Sequence, residues 1–80
     1  MDRRVFKSSI VKHSVKISGQ LTSLSLENEF WDQIKAIAAE KEVTVAGYVE
    51  SVDRARQNGN LSSALRVAAF RFIKDKLARA

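Results

Sequence analysis

The chain contains no cysteine and a single histidine. Without thiols it has no disulfide framework and no thiolate metal site, and its composition suits a reducing cytoplasm. His13 has neither a cysteine nor a second histidine with which to share a metal, so it reads as part of a polar arm and no cofactor is expected. No apolar run approaches the ~20 residues that span a bilayer, and no membrane partner is expected. The opening segment, Met1 to Lys7, is basic but lacks the apolar stretch of a secretory signal. There is no glycine-rich phosphate loop. The serines are many, yet none has a histidine base held by a carboxylate. Glu50 and Asp53 lie one helical turn apart and suit a solvated face beside Arg54 or Arg56 better than a catalytic pair. Together these absences exclude the common enzyme classes.

What is present is one small domain. Eighty residues only just bury an adequate core, so association with a second copy would help. The apolar fraction of 45% is ordinary for a folded protein and too high for a disordered one. The net charge is +5, and it is unevenly spread. Residues 1–20 carry five basic residues and one acidic, residues 21–53 two basic and seven acidic, and residues 54–80 seven basic and one acidic. A basic arm and a basic last helix therefore flank an acidic middle. Such surfaces attract polyanions or acidic proteins at long range.

Leu21 to Leu26 alternate: Leu24 and Leu26 point one way, Ser23 and Ser25 the other. After Phe30 the apolar spacing becomes helical, and no second convincing strand follows. A lone strand leaves a row of backbone groups unpaired, and pairing with the same strand of a second copy would satisfy them. Residues 1–18 read as a basic N-terminal arm. Val11, Val15 and Ile17 alternate partly with Lys12, Ser14 and Lys16, so this arm is either extended or a second strand turning at Ser18-Gly19-Gln20.

The first helix begins near Glu27 or Asn28, with Asn28 as a candidate N-cap. Phe30, Ile34, Ile37 and Ala38 form its apolar stripe, and Trp31 extends it or closes a dimer seam. Glu42-Val43-Thr44 reads as a tight link, with Thr44 capping a second helix whose apolar face is Val45, Tyr48, Val49 and Val52. Gly47 within that helix suggests a close approach or weak optimisation. Asn58-Gly59 ends it, and Asn60 or Ser62 starts a third helix. There Leu61, Leu65, Ala68, Ala69, Phe72, Ile73 and Leu77 form a long stripe surrounded by Arg66, Arg71, Lys74, Lys76 and Arg79.

Strand, helix, short turn and helix in this order resemble the ribbon-helix-helix superfamily of dimeric DNA-binding proteins, the Arc/MetJ type. The matching residues are Thr22-Ser23-Leu24-Ser25-Leu26, then Glu29-Phe30-Trp31, and Lys41-Glu42-Val43-Thr44-Val45 at the turn. More closely, Val15 to Glu27, Glu29-Phe30-Trp31 and Asn60-Leu61-Ser62-Ser63-Ala64-Leu65-Arg66 look like a small bacterial ribbon-helix-helix family. The resemblance covers roughly residues 12–77.

It implies a mainly α fold with one short β-strand, forming an intertwined two-fold dimer with an intersubunit antiparallel ribbon and a third C-terminal helix. Residues 19–80 would make up that domain. Leu24, Leu26, Phe30, Trp31 and Ile34 would form the dimer core. Leu21, Ser23 and Ser25 would face bases in the major groove, and the amino end of the second helix, Thr44 and Val45, would hold a phosphate. Members that bind DNA often carry basic or amide side chains at the outward ribbon positions, where this chain has Leu21, Ser23 and Ser25. Arg3, Arg4, Lys7, Lys12 and Lys16 would then supply the phosphate contacts from the arm. The expected protein is a homodimeric transcription regulator. The alternative is a protein-binding dimer, an antitoxin or adaptor, using the basic third helix or arm on an acidic partner.

Overall fold

The computed structural model describes residues 9–56 and 59–79. Strands β1 (Ile10–Ile17) and β2 (Gln20–Glu27) form an antiparallel hairpin, followed by helices α1 (Asn28–Glu40), α2 (Val45–Ala55) and α3 (Leu61–Arg79). The expectation of one strand is thereby corrected, and of the two readings of residues 11–17 the second strand turning at Ser18-Gly19-Gln20 is the one found. β2 finds a hydrogen-bonding partner inside the chain, which satisfies one of its two edges in a two-stranded sheet. What hid β1 is His13, which breaks the apolar alternation at an inward position. What makes the hairpin is the pair Ser18 and Gly19, with φ of 50° and 81°. Two successive left-handed residues close a two-residue turn whose twist matches the strands.

The register sets Lys12 opposite Ser25, His13 opposite Leu24, Ser14 opposite Ser23, Val15 opposite Thr22 and Lys16 opposite Leu21. Because side chains alternate, Val15, Ile17, Leu24 and Leu26 all enter the core. The helices cover this face with Ile34, Ile37 and Ala38 from α1, Tyr48 and Val49 from α2, and Leu65 and Ala69 from α3. Phe30, Trp31, Val45, Val52, Leu61 and Phe72 pack around that cluster.

The helix ends explain the connections. Glu27, not Asn28, occupies the N-cap of α1, without a side-chain cap bond, and Asn28 is the first helical residue. Continuity with β2 fixes this start: the Asn28 N–H donates back to the Ser9 carbonyl at 3.3 Å. At the other end the N–H groups of Glu42 and Val43 donate to the carbonyls of Ala39 and Ala38. Glu42 sits at φ 58°, where glycine is the usual occupant. Thr44 caps α2 as expected, its hydroxyl accepting from the Gly47 N–H at 2.9 Å. The same contact accounts for Gly47, since a Cβ there would stand 3.0 Å from Thr44 Oγ1. Asn60 caps α3, its Oδ1 accepting from the Ser63 N–H at 2.7 Å.

Candidate nucleic-acid interface

The hairpin has a second face, turned away from the helices. It presents two facing rows, Lys12, Ser14 and Lys16 from β1 and Ser25, Ser23 and Leu21 from β2, all exposed. This is a two-stranded ribbon of the width that enters a major groove. Leu21, Ser23 and Ser25 point outward together. Lys12 and Lys16, expected on an arm leading into the ribbon, stand instead on the ribbon itself, directly across from Ser25 and Leu21. Lysine adds what serine lacks: a charged donor able to reach guanine O6 and N7. Periodicity carried this signal, because the two lysines fall on the same parity as Ser14, but it could be read only once β1 was known to be a strand.

At the end of the same face, Glu27 would oppose a phosphate. Its carboxylate instead accepts a 2.8 Å bond from Arg66 Nε on α3. That hydrogen bond, aided by the nearby charge of Arg66, holds Glu27 below the ordinary carboxylate range. Arg66 also lies over the Phe30 ring at 6.0 Å. Ser62 at the start of α3 donates to the Ser25 carbonyl at 2.7 Å, tying α3 to the outer edge of β2. Beside the hairpin turn, Glu50 accepts from Arg54 at 2.8 Å and from the Ser18 hydroxyl at 3.0 Å. Those two bonds, Arg54 first, lower its pKa. With Arg56 bonded to Asp53 at 2.6 Å, Glu50 and Asp53 form paired surface carboxylates rather than an acid–base couple.

The other candidate residues separate. Arg3, Arg4 and Lys7 lie outside the described residues. The Thr44 hydroxyl is engaged as a cap, which leaves the Val45 N–H among the unbonded donors at the start of α2. Leu24, Leu26 and Ile34 are buried, and Phe30 and Trp31 partly so, within the single chain. His13 is not part of a polar arm: its ring stacks on Trp31, centroids 4.2 Å apart and planes at 15°, and its Nε2 is buried without a hydrogen-bond partner. Among the described residues no cluster of three or more His, Cys, Asp or Glu could hold a metal, and no helix is long and apolar enough to cross a membrane. Phe70, absent from the expected stripe of α3, is one of its most exposed apolar residues.

Residues 10–73 match the family model of the ribbon-helix-helix domain. The chain belongs to this family, whose members are generally DNA-binding transcription regulators or antitoxins, typically homodimeric and non-enzymatic. No curated protein matches the sequence. Among solved structures, the chain is similar to an uncharacterized protein from Bordetella pertussis Tohama I, with a TM-score of 0.71 and 29% identity. The match covers 90% of this chain and 62% of that one, so the chain spans about three-fifths of its neighbour's length.

Proposed function

We propose that the protein is a homodimeric DNA-binding transcription regulator that lays the outward face of its β1–β2 hairpin in the major groove. The observation that carries this reading is the paired outer rows, Lys12 across from Ser25, Ser14 from Ser23 and Lys16 from Leu21, exposed on a rigid hairpin whose other face is core. Lys12 and Lys16 supply charge-assisted contacts to guanine edges or phosphates, Ser14, Ser23 and Ser25 supply adaptable hydrogen bonds, and Leu21 meets a thymine methyl. Arg3, Arg4 and Lys7, with the amino end of α2 at Thr44 and Val45, add phosphate contacts that carry no sequence information.

The pairing of Glu27 with Arg66 supports the same reading, since it neutralises the one carboxylate at the end of the ribbon face. The test is fluorescence anisotropy of the purified chain against its own upstream DNA and a scrambled duplex over a salt series. The reading expects a preference that survives moderate salt. Equal, steeply salt-dependent binding to both duplexes would reduce the hairpin to a phosphate contact, and no binding at low salt would overturn the reading. A second reading, a protein-binding dimer of the antitoxin or adaptor kind, draws on the exposed apolar end of α3.

A further inference from the structure

Beyond Ala69, only Phe72 of α3 packs against the core. Phe70 is 63% exposed and Ile73 41%. These two form one wall of a hollow of about 260 Å³, open to solvent, whose other wall is the start of α1. Glu29, Phe30, Gln33 and Ala69 complete its lining. A cavity of about 150 Å³ takes a benzene ring, so this hollow has room for one aromatic side chain. Two phenyl rings already border it, and a third would meet them edge or face on.

The chain enters the fold beside this hollow. The Ser9 carbonyl accepts from the Asn28 N–H at 3.3 Å. Ile10 stands opposite Glu27, and Glu27 is bonded to Arg66, one helical turn before Phe70. Ser9 therefore lies at the corner where the hairpin, α1 and α3 meet. Residues 1–8, Met-Asp-Arg-Arg-Val-Phe-Lys-Ser, precede it. Phe6 is three residues from Ser9, and three extended residues span at most about 11 Å. Phe30 and Gln33 lie about 3 and 8 Å past Asn28 along the helix axis, within that reach. Charge points the same way. Residues 1–8 carry Arg3, Arg4 and Lys7 against Asp2, and α1 carries Glu29, Asp32 and Glu40 against Lys35. The second half of α3 has Arg71, Lys74, Lys76 and Arg79 against Asp75. A basic segment is thus drawn to the Glu29 end of the groove and repelled from the far end.

We infer that this hollow is the seat of the chain's own N-terminal segment, with the Phe6 ring between Phe30 and Phe70 and Arg3, Arg4 and Lys7 directed to the carboxylates of α1. Chain reach, an apolar ring-sized hollow and opposite charge all select the same occupant. The seat does not rest on DNA binding, but its use does. Arg3, Arg4 and Lys7 are the cations assigned above to phosphates, and they cannot serve α1 and a duplex at once. Seating therefore holds the arm back until a duplex competes for it.

The test uses the full chain and no nucleic acid. Trypsin cuts after Lys7 only from the unseated form, so the cleavage rate reports how much of that form is present. Burying one aromatic ring favours the seated form about tenfold or more. The native chain should therefore lose its first seven residues about tenfold more slowly than Phe70→Ser, whose arm sequence is unchanged. Helical circular dichroism should be the same in both, because Phe70 is exposed. Phe6→Ala should be cut as fast as Phe70→Ser, and the two changes together no faster, since both empty one contact. Equal rates in the native chain and Phe70→Ser overturn the seat. Nuclear Overhauser contacts from the Phe6 ring to the Ile73 methyl groups are expected, and their absence overturns it too. In a mixture of isotope-labelled and unlabelled chains, contacts found only between copies would give the hollow to another copy's arm and overturn the intrachain seat. Slow cleavage and these contacts in a chain that binds no duplex would sustain the seat and refute only the DNA reading.

Discussion

The two faces of the hairpin are built from the same sixteen strand residues and answer to different constraints. The inner face, with Val15, Ile17, Leu24 and Leu26, is held by all three helices, and the size and shape of each side chain matter there. The outer face, with Lys12, Ser14, Lys16, Leu21, Ser23 and Ser25, is exposed and adds no side chain to the core. Chain stability and ligand choice are therefore separated by one residue of strand phase, and a shift of register by one would exchange them. A strand pair can thus tolerate wide change on its recognition face while its scaffold stays fixed.

Substitutions on the two faces should accordingly move different observables. The largest effect belongs to the inner face. Leu26→Ala should cost about 3 kcal/mol in chemical denaturation, a large part of the total stability of about 5–10 kcal/mol expected for a small domain. A loss below about 1 kcal/mol would mean that the inner face is not the scaffold. Next, Lys12→Ala combined with Lys16→Ala should weaken binding to every duplex about tenfold or more at moderate salt, and lower the salt slope by roughly two per chain. The denaturation midpoint should not move; if it falls, the outer face is also structural.

Ser23→Ala with Ser25→Ala should narrow the gap between cognate and scrambled duplexes by about 1–3 kcal/mol, read by competition anisotropy, and leave salt dependence unaltered. Glu42→Gly lies on neither face and serves as a control. It relieves a left-handed glutamate and should raise stability by about 0.5–1 kcal/mol without changing DNA affinity.

The smallest effect concerns the outward position where the separation is incomplete. Glu27 is held below its ordinary pKa by Arg66, so its contribution is present above the ordinary carboxylate range. That contribution disappears as pH falls through the lowered value. An acid titration followed by circular dichroism should show this loss, and Arg66→Ala should remove that part of the pH dependence.

Much of the architecture was legible in the chain. Leu24 and Leu26 inward with Ser23 and Ser25 outward follows from alternation alone, and Thr44 announces α2 because a hydroxyl three residues before Gly47 can accept its N–H. Three features were not settled by local pattern, the choice between arm and strand for β1 among them. β1 carries a polar residue at an inward position, and His13 is accommodated only by Trp31, from a helix that local pattern cannot bring near. Lys12 and Lys16 look like generic arm charges until β1 is paired, and their place beside Ser25 and Leu21 is a matter of register. Phe70 was missed because a 3.6-residue stripe runs through Leu65, Ala69 and Phe72, and Ile73 and Leu77, expected on that stripe, stand exposed beyond it.

The stack of His13 on Trp31 gives the molecule a built-in optical gauge. Trp31 is the sole tryptophan, and its indole lies face to face with an imidazole carried by β1. Emission from this one chromophore therefore reports whether the hairpin is seated on α1. A stopped-flow trace of tryptophan fluorescence would time the docking of the ribbon during refolding with no label added. His13→Phe would keep a stacked ring while removing the imidazole, setting the baseline against which that signal is read.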